Sequence, residues 1–155
     1  MFKTIVWATD GSELADGALD FVRELAQQDG ARIVAVHANE LIRGRSAGYS
    51  VLADEPELEE KIGKQVKELR RLGMDATYEI RRGNKSVATL IAEGAEHVDA
   101  DLIVVATHGS GGLKTALMGS VARALCHAAK TPVLVIPPVP KPERSATRDE
   151  QLAAV

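Results

Sequence analysis

The chain has 155 residues and a formal net charge of −3, long enough to bury one core without metals or disulfides and too short to suggest a second domain. No basic cluster exceeds the pairs Arg70-Arg71 and Arg81-Arg82, which argues against a general nucleic-acid binder, so any anion site has to be local. The single cysteine, Cys126, rules out an intramolecular disulfide. The chain starts directly in a short apolar strand without leader-peptide features, and no apolar run approaches the roughly 20 residues of a membrane span. The expectation is a cytoplasmic protein with no membrane partner.

The first element is a strand, Lys3 to Thr9. It is followed by T-D-G-S, in which Asp10 or Ser12 can cap a helix. Leu14, Ala18, Phe21, Val22 and Leu25 then form an apolar stripe at helical spacing, ended by Asp29-Gly30. Arg32 to His37 reads as the second strand. Asn39 to Glu55 is too polar and Gly-rich for a packed element and reads as a mobile surface loop, with a lid built on Arg43 or Arg45 as its functional alternative. Leu58, Ile62, Val66, Leu69 and Leu72 repeat the helical stripe up to Gly73. Thr77 to Arg81 is the third strand, and Val87, Leu90, Ile91 and Val98 mark the third helix. Asp101 to Ala106 is the fourth strand; its run I-V-V-A reads as buried on both sides. Val121, Ala124, Leu125 and Ala128 mark a fourth helix, stopped at Thr131-Pro132 before a last strand, Pro132 to Ile136. Trp7 and Cys126 are expected in or near the core. Residues 139–155 read as a disordered tail, leaving one domain over 1–138.

This alternation predicts an α/β fold, a doubly wound five-stranded parallel sheet with helices on both faces and a ligand crevice at the carboxyl ends of the strands. Leu102 to Ser120, L-I-V-V-A-T-H-G-S-G-G-L-K-T-A-L-M-G-S, is a strand, a Gly-rich loop and a helix start. Backbone N–H groups in such a loop, with the unpaired donors of a helix N-terminus, favour an anion. The plain alternative is a tight strand-to-helix turn that uses glycine for its geometry. G-S-G-G-L-K-T misses the Walker pattern because Leu113 separates Gly112 from Lys114, and after the first strand only Gly11 stands where a dinucleotide fold needs G-x-G-x-x-G. His37, His97, His108 and His127 have no metal-ligand spacing, and there is no G-x-S-x-G elbow for serine hydrolysis. Asp10 lies at the carboxyl edge of the sheet, where its carboxylate would suit a ribose or an adenine amino group.

T-D-G-S after the first strand, V-H at the end of the second, V-V-A-T-H-G-S-G-G-L-K-T-A-L-M-G-S-V-A and the final T-P-V-L-V-I resemble the universal stress protein family, from Phe2 to about Pro138. Its ATP-binding branch carries G-x2-G-x9-G-[ST]. Here the register gives Ala106, two residues, Gly109, nine residues, then Gly119-Ser120, so alanine stands at the first glycine. The resemblance implies the sheet order 3-2-1-4-5 and a stress-response regulator that acts through its bound state. Its ligand would be ATP or another adenine nucleotide, with Mg²⁺ left open as a companion ion. By the same resemblance Asp10 contacts the nucleoside, Ala8 and Ala38 line its side, and Gly109, Gly119, Ser120 and Val121 hold the phosphates. Lys114 is a further cation within reach of them.

Two other readings remain. One is an interaction module of the same fold that has lost nucleotide binding, which Ala106 keeps open. The other is a slow ATPase, which would need a water-orienting base and a metal carboxylate beside the phosphates. A phospho-accepting receiver is disfavoured, because the third strand ends in Arg81-Arg82-Gly83 and not in an aspartate. Pro132, Val133, Leu134, Val135 and Ile136 would form an apolar sheet edge, and pairing with a second copy of the chain would cover it, as would the proline-rich tail folding back. The expected partners are thus a second subunit and a regulatory protein of unknown identity.

Overall fold

In the computed structural model, which describes residues 1–43, 49–50, 55–108 and 118–138, β1 (Thr4–Ala8) lies at the centre of a five-stranded sheet. It pairs in parallel with β2 (Arg32–Glu40) on one side and with β6 (Leu102–Ala106) on the other. β5 (Ala76–Gly83) adds to β2, and β7 (Val133–Ile136) adds to β6, both in parallel. Counting the five parallel strands alone, the order is 3-2-1-4-5, as expected.

The two faces carry separate cores, because alternate residues of each strand point to opposite sides. Ile5, Trp7, Ile33, Ala35 and Val104 meet α1 (Glu13–Asp29) and α2 (Glu55–Arg71). Val6, Val34, Val36, Ile103 and Val105 meet α3 (Val87–His97) and α4 (Ser120–Ala128). The helix ends follow local chemistry. Ser12 caps α1, its hydroxyl accepting from the Ala15 N–H at 3.2 Å. Gly30 ends it in the left-handed conformation at φ 67°, which glycine adopts without a Cβ penalty.

Several expectations on the helix faces need correction. Phe21 is 40% exposed, and the buried face of α1 is Ala15, Ala18, Val22 and Ala26. The bulky and the small stripes share Ala18 and Val22, and packing favours the small one, which lets the helix sit close to the sheet. In α4 the buried residues are Ala122 and Leu125, while Val121, Ala124 and Ala128 are exposed. Cys126 is exposed too. Leu72 falls just beyond the end of α2 and is exposed.

The segment Asn39 to Glu55 is not a loop throughout. Asn39 and Glu40 continue β2 opposite Arg82 and Gly83 of β5, so both strands run past their expected ends at His37 and Arg81. β3 (Ile42–Arg43) and β4 (Tyr49–Ser50) pair antiparallel, and Glu55 opens α2. The lid reading rests on the side chains of Arg43 and Arg45, which lie outside the described residues, as do Gly109, Lys114 and the tail 139–155. No helix among the described residues is long and apolar enough to cross a membrane.

Asp101 stitches the start of the sheet together. Its Oδ2 accepts from the Lys3 N–H at 2.7 Å and the Thr4 N–H at 2.9 Å. These bonds, Thr4's first, hold its carboxyl below the ordinary aspartate value. A carboxyl lowered in the folded state stabilises the fold above its unfolded pKa, and the contribution disappears as pH falls through the folded value. Asp101→Asn should therefore melt lower than wild type at pH 6, and the gap should narrow as pH falls below the ordinary aspartate value. Circular dichroism melts across that range check it; a gap that stays constant at every pH would assign the effect to something other than the carboxylate.

Candidate functional site

At the carboxyl ends of β1 and β6 the chain leaves the sheet in opposite directions, and a cleft of about 240 Å³ opens between the two exits. Along one exit, Thr9 donates its N–H to the Val36 carbonyl at 3.0 Å, and its hydroxyl accepts from the Gly11 N–H at 3.1 Å. The Asp10 Oδ1 accepts from the Ser12 N–H at 3.0 Å, which fixes the turn that leads into α1. Gly11 has φ 76°, and Cδ1 of Leu58 on α2 occupies the place where a side chain at Gly11 would sit. Ser12, not Asp10, is thus the helix cap. Asp10 orders its own turn and lines the cleft.

Along the other exit, the Thr107 N–H donates to the Ile136 carbonyl of β7 at 2.8 Å, and the Thr107 carbonyl accepts from the Gly119 N–H at 2.6 Å. The start of α4 is thereby held across the end of β6. A Cβ on Gly119 would lie 2.6 Å from the Thr107 oxygen and 3.4 Å from the His108 Cα, so the close approach requires glycine. Among the described residues no side chain caps α4. Its first N–H groups, at Ser120, Val121 and Ala122, carry the partial positive charge of a helix start, and these residues line the cleft. His108 places Nδ1 3.1 Å from the Thr107 hydroxyl; its Nε2 is buried with no hydrogen-bond partner among the described residues.

The walls between these polar ends are apolar: Ala38 of β2, Val105 and Ala106 of β6, and Val87 and Ile91 on the first turns of α3. Seven residues singled out from the sequence, Ala8, Asp10, Ala38, Ala106, Gly119, Ser120 and Val121, come together on this one cleft. Ala38 does so from inside a strand, paired with Arg81. The sequence reading missed Thr9, Ala15, Val87, Ile91, Val105, Thr107 and Ala122. Val87 and Ile91 read from the sequence as core-facing members of the α3 stripe, and they are that, Ile91 lying in the core and Val87 packing against it; both line the cleft as well.

Residues 1–137 match the profile of the universal stress protein family. The chain belongs to that family. A universal stress protein of Thermus aquaticus is 32% identical over 139 residues, covering 88% of this chain and 99% of its own. Among solved structures, a universal stress protein from Archaeoglobus fulgidus superposes with a TM-score of 0.68 at 29% identity, over 88% of this chain and 94% of that one. Another structure, of the universal stress protein from Archaeoglobus fulgidus in complex with dAMP, has a TM-score of 0.64 at 27% identity, over 88% of this chain and 98% of that one. The fold and family read from T-D-G-S and the Leu102–Ser120 segment are therefore those of the protein.

Proposed function

We propose that this universal stress protein binds an adenine nucleotide in the cleft between the ends of β1 and β6 and acts in a stress response through its bound state. The observation that carries the reading is convergence. A carboxylate on Asp10 and the N–H groups at the start of α4 lie at the polar ends of one cleft whose walls are apolar. Apolar walls suit a flat base, Asp10 suits a ribose, and a helix start suits phosphate. The dAMP complex of the Archaeoglobus relative supports the ligand class. The spacing from Ala106 through Gly109 to Gly119-Ser120 favours ATP within that class, with Gly109 and Lys114 on the phosphate side. Asp10 is the one carboxylate among the described lining residues, so a companion Mg²⁺ would take most of its oxygens from phosphate and water.

Acid extraction and chromatography of the purified protein should release an adenine nucleotide, and calorimetry should show ATP binding that Asp10→Ala weakens by about 1.5–3 kcal/mol, roughly ten- to 150-fold. Ala106 favours the second reading, an interaction module, because its methyl lines the cleft where the motif has glycine. No extracted nucleotide and no heat with ATP or AMP would select that reading.

Assembly through β7 is the companion proposal. The other sheet edge, β5, carries Glu79, Arg81 and Arg82, charges that discourage strand addition. β7 is Val-Leu-Val-Ile, with Leu134 37% exposed, and Val121, Ala124 and Ala128 of α4 are exposed as well. A two-fold axis along this edge would bury the β7 edges of both copies. Val135 packs against the core beneath α3 and α4, so Leu134 is the better probe. Leu134→Lys should turn a dimer into a monomer in sedimentation at micromolar concentration without loss of nucleotide binding. A wild-type protein that sediments as a monomer would refute the dimer.

A further inference from the structure

His37 is buried beside the cleft and belongs to a chain of hydrogen bonds that crosses three elements. Its Nδ1 is 2.9 Å from the Thr9 carbonyl oxygen, and its Nε2 is 3.0 Å from the Asn39 Oδ1. Asn39 Nδ2 donates to the Glu55 Oε1 at 2.7 Å, and Arg82 Nε donates to the same oxygen at 2.6 Å. A carbonyl oxygen can only accept, so Nδ1 carries a proton. The Asn39 oxygen can also only accept, so in this arrangement Nε2 carries one too, and the ring is an imidazolium. Turning the Asn39 amide over would offer Nε2 a donor but would set Oδ1 against the Glu55 carboxylate, acceptor against acceptor, unless Glu55 were protonated. Either orientation therefore holds one proton more than a neutral imidazole and an ionised carboxylate supply. Burial raises the Glu55 carboxyl, but the hydrogen bonds from Asn39 and Arg82, with the charges of Arg82 and His37, outweigh it and hold it below the ordinary glutamate value. The extra proton accordingly sits on His37.

We propose that His37 is a positioning residue whose second ring proton controls how tightly the cleft holds its nucleotide, an inference that rests on the nucleotide-binding reading above. With both protons, His37 fixes the Thr9 carbonyl next to Asp10 and, through Asn39 and Glu55, ties the end of β2 to the first turn of α2. That half of α2 supports the Asp10 turn from behind: Leu58 fills the space at Gly11, and Lys61 donates to the Gly11 carbonyl and to Asp16. Loss of the Nε2 proton turns the Asn39 amide, breaks its bond to Glu55 and loosens that support. Among the described residues, the charged and titratable groups on this side are Asp10 and His108, which line the cleft with His37, and Glu55 and Arg82, which end the hydrogen-bond chain. Binding is tight while the second ring proton is present and weakens once it is lost.

The test compares wild type with Glu55→Gln, using dAMP and calorimetry from pH 6 to 8. A glutamine can accept from or donate to either orientation of Asn39, so it removes the need for the extra proton. Wild-type affinity should fall roughly tenfold across this range, within the span of ordinary site-to-site coupling, and Glu55→Gln should lose most of that slope. The phosphate of dAMP is common to both measurements, so the difference between the slopes isolates the chain from His37 to Glu55. Long-range nitrogen-15 spectra of the ligand-free protein should show both ring nitrogens of His37 protonated at pH 6 and Nδ1 alone at pH 8. Equal slopes in the two proteins, or a single ring proton at pH 6, would overturn the inference and leave the nucleotide reading standing; no dAMP binding at any pH would remove both.

Discussion

Replacing Gly119 by valine is expected to remove nucleotide binding and lower stability together. The new Cβ would lie 2.6 Å from the Thr107 carbonyl oxygen, a main-chain atom that cannot rotate out of the way. The start of α4 has to move off the end of β6, breaking the Gly119 N–H bond to that oxygen. Overpacking of this kind costs about 1–3 kcal/mol, or roughly 2–12 °C in Tm for a domain of this size. The larger effect falls on the ligand, because the displaced N–H groups are those proposed to face phosphate. Losing two such bonds to a charged group, at about 1.5–3 kcal/mol each, weakens binding by more than about 100-fold. Gly119→Ala adds the same Cβ and should fail in the same direction. Calorimetry paired with thermal melts decides it: a Gly119→Val protein that binds ATP as tightly as wild type would place the nucleotide elsewhere.

The largest loss of stability is expected at Trp7. This side chain is fully buried, among Ile5, Ala18, Val22 and Ile33, and its Nε1 donates to the Ala15 carbonyl at 3.0 Å. Trp7→Ala should cost about 3–5 kcal/mol, from lost burial and the cavity left behind, which is roughly 6–20 °C in Tm. Trp7→Phe should cost less, since it keeps most of the apolar volume and gives up the bond to Ala15. Trp7 is the single tryptophan, so the melts have to be followed by circular dichroism and not by intrinsic fluorescence. A shift in Tm below about 3 °C for Trp7→Ala would contradict its place at the centre of the α1 and α2 core.

Why some of this is legible in the residues and some is not follows from the range of the interactions. Ile103, Val104 and Val105 read as a doubly buried strand because nothing polar interrupts them, and Ser12 and Gly30 mark the ends of α1 through bonds and conformations within a few residues. The stripe misled at Phe21 because a helical wheel ranks bulk, whereas the sheet takes the face that approaches it most closely, here Ala15, Ala18, Val22 and Ala26, with Leu14 and Leu25 half-buried at its margins. The extra length of β2 was hidden because Asn39 and Glu40 are polar, and only pairing with Arg82 and Gly83 makes them strand. At the cleft, Asp10 and Gly119 stood out by position after a strand and before a helix. The connection from Thr9 through His37 and Asn39 to Glu55 and Arg82 did not, since its links join residues up to 28 positions apart.

The unequal lengths of the neighbouring strands also matter. β1 stops pairing with β2 at Ala8 and Val36, whereas β2 and β5 stay paired as far as Glu40 and Gly83. The sheet therefore ends in a terrace, a two-strand shelf that overhangs its middle by four residues, about 13 Å. Because the shelf is held to the sheet by one ladder and not two, its amides around Asn39 and Arg82 should exchange with solvent through local openings well before those of Val34 or Val104. Insertions or deletions there would change the depth of the cleft without touching the register of β1, so the fold can resize its binding site while its core stays as it is.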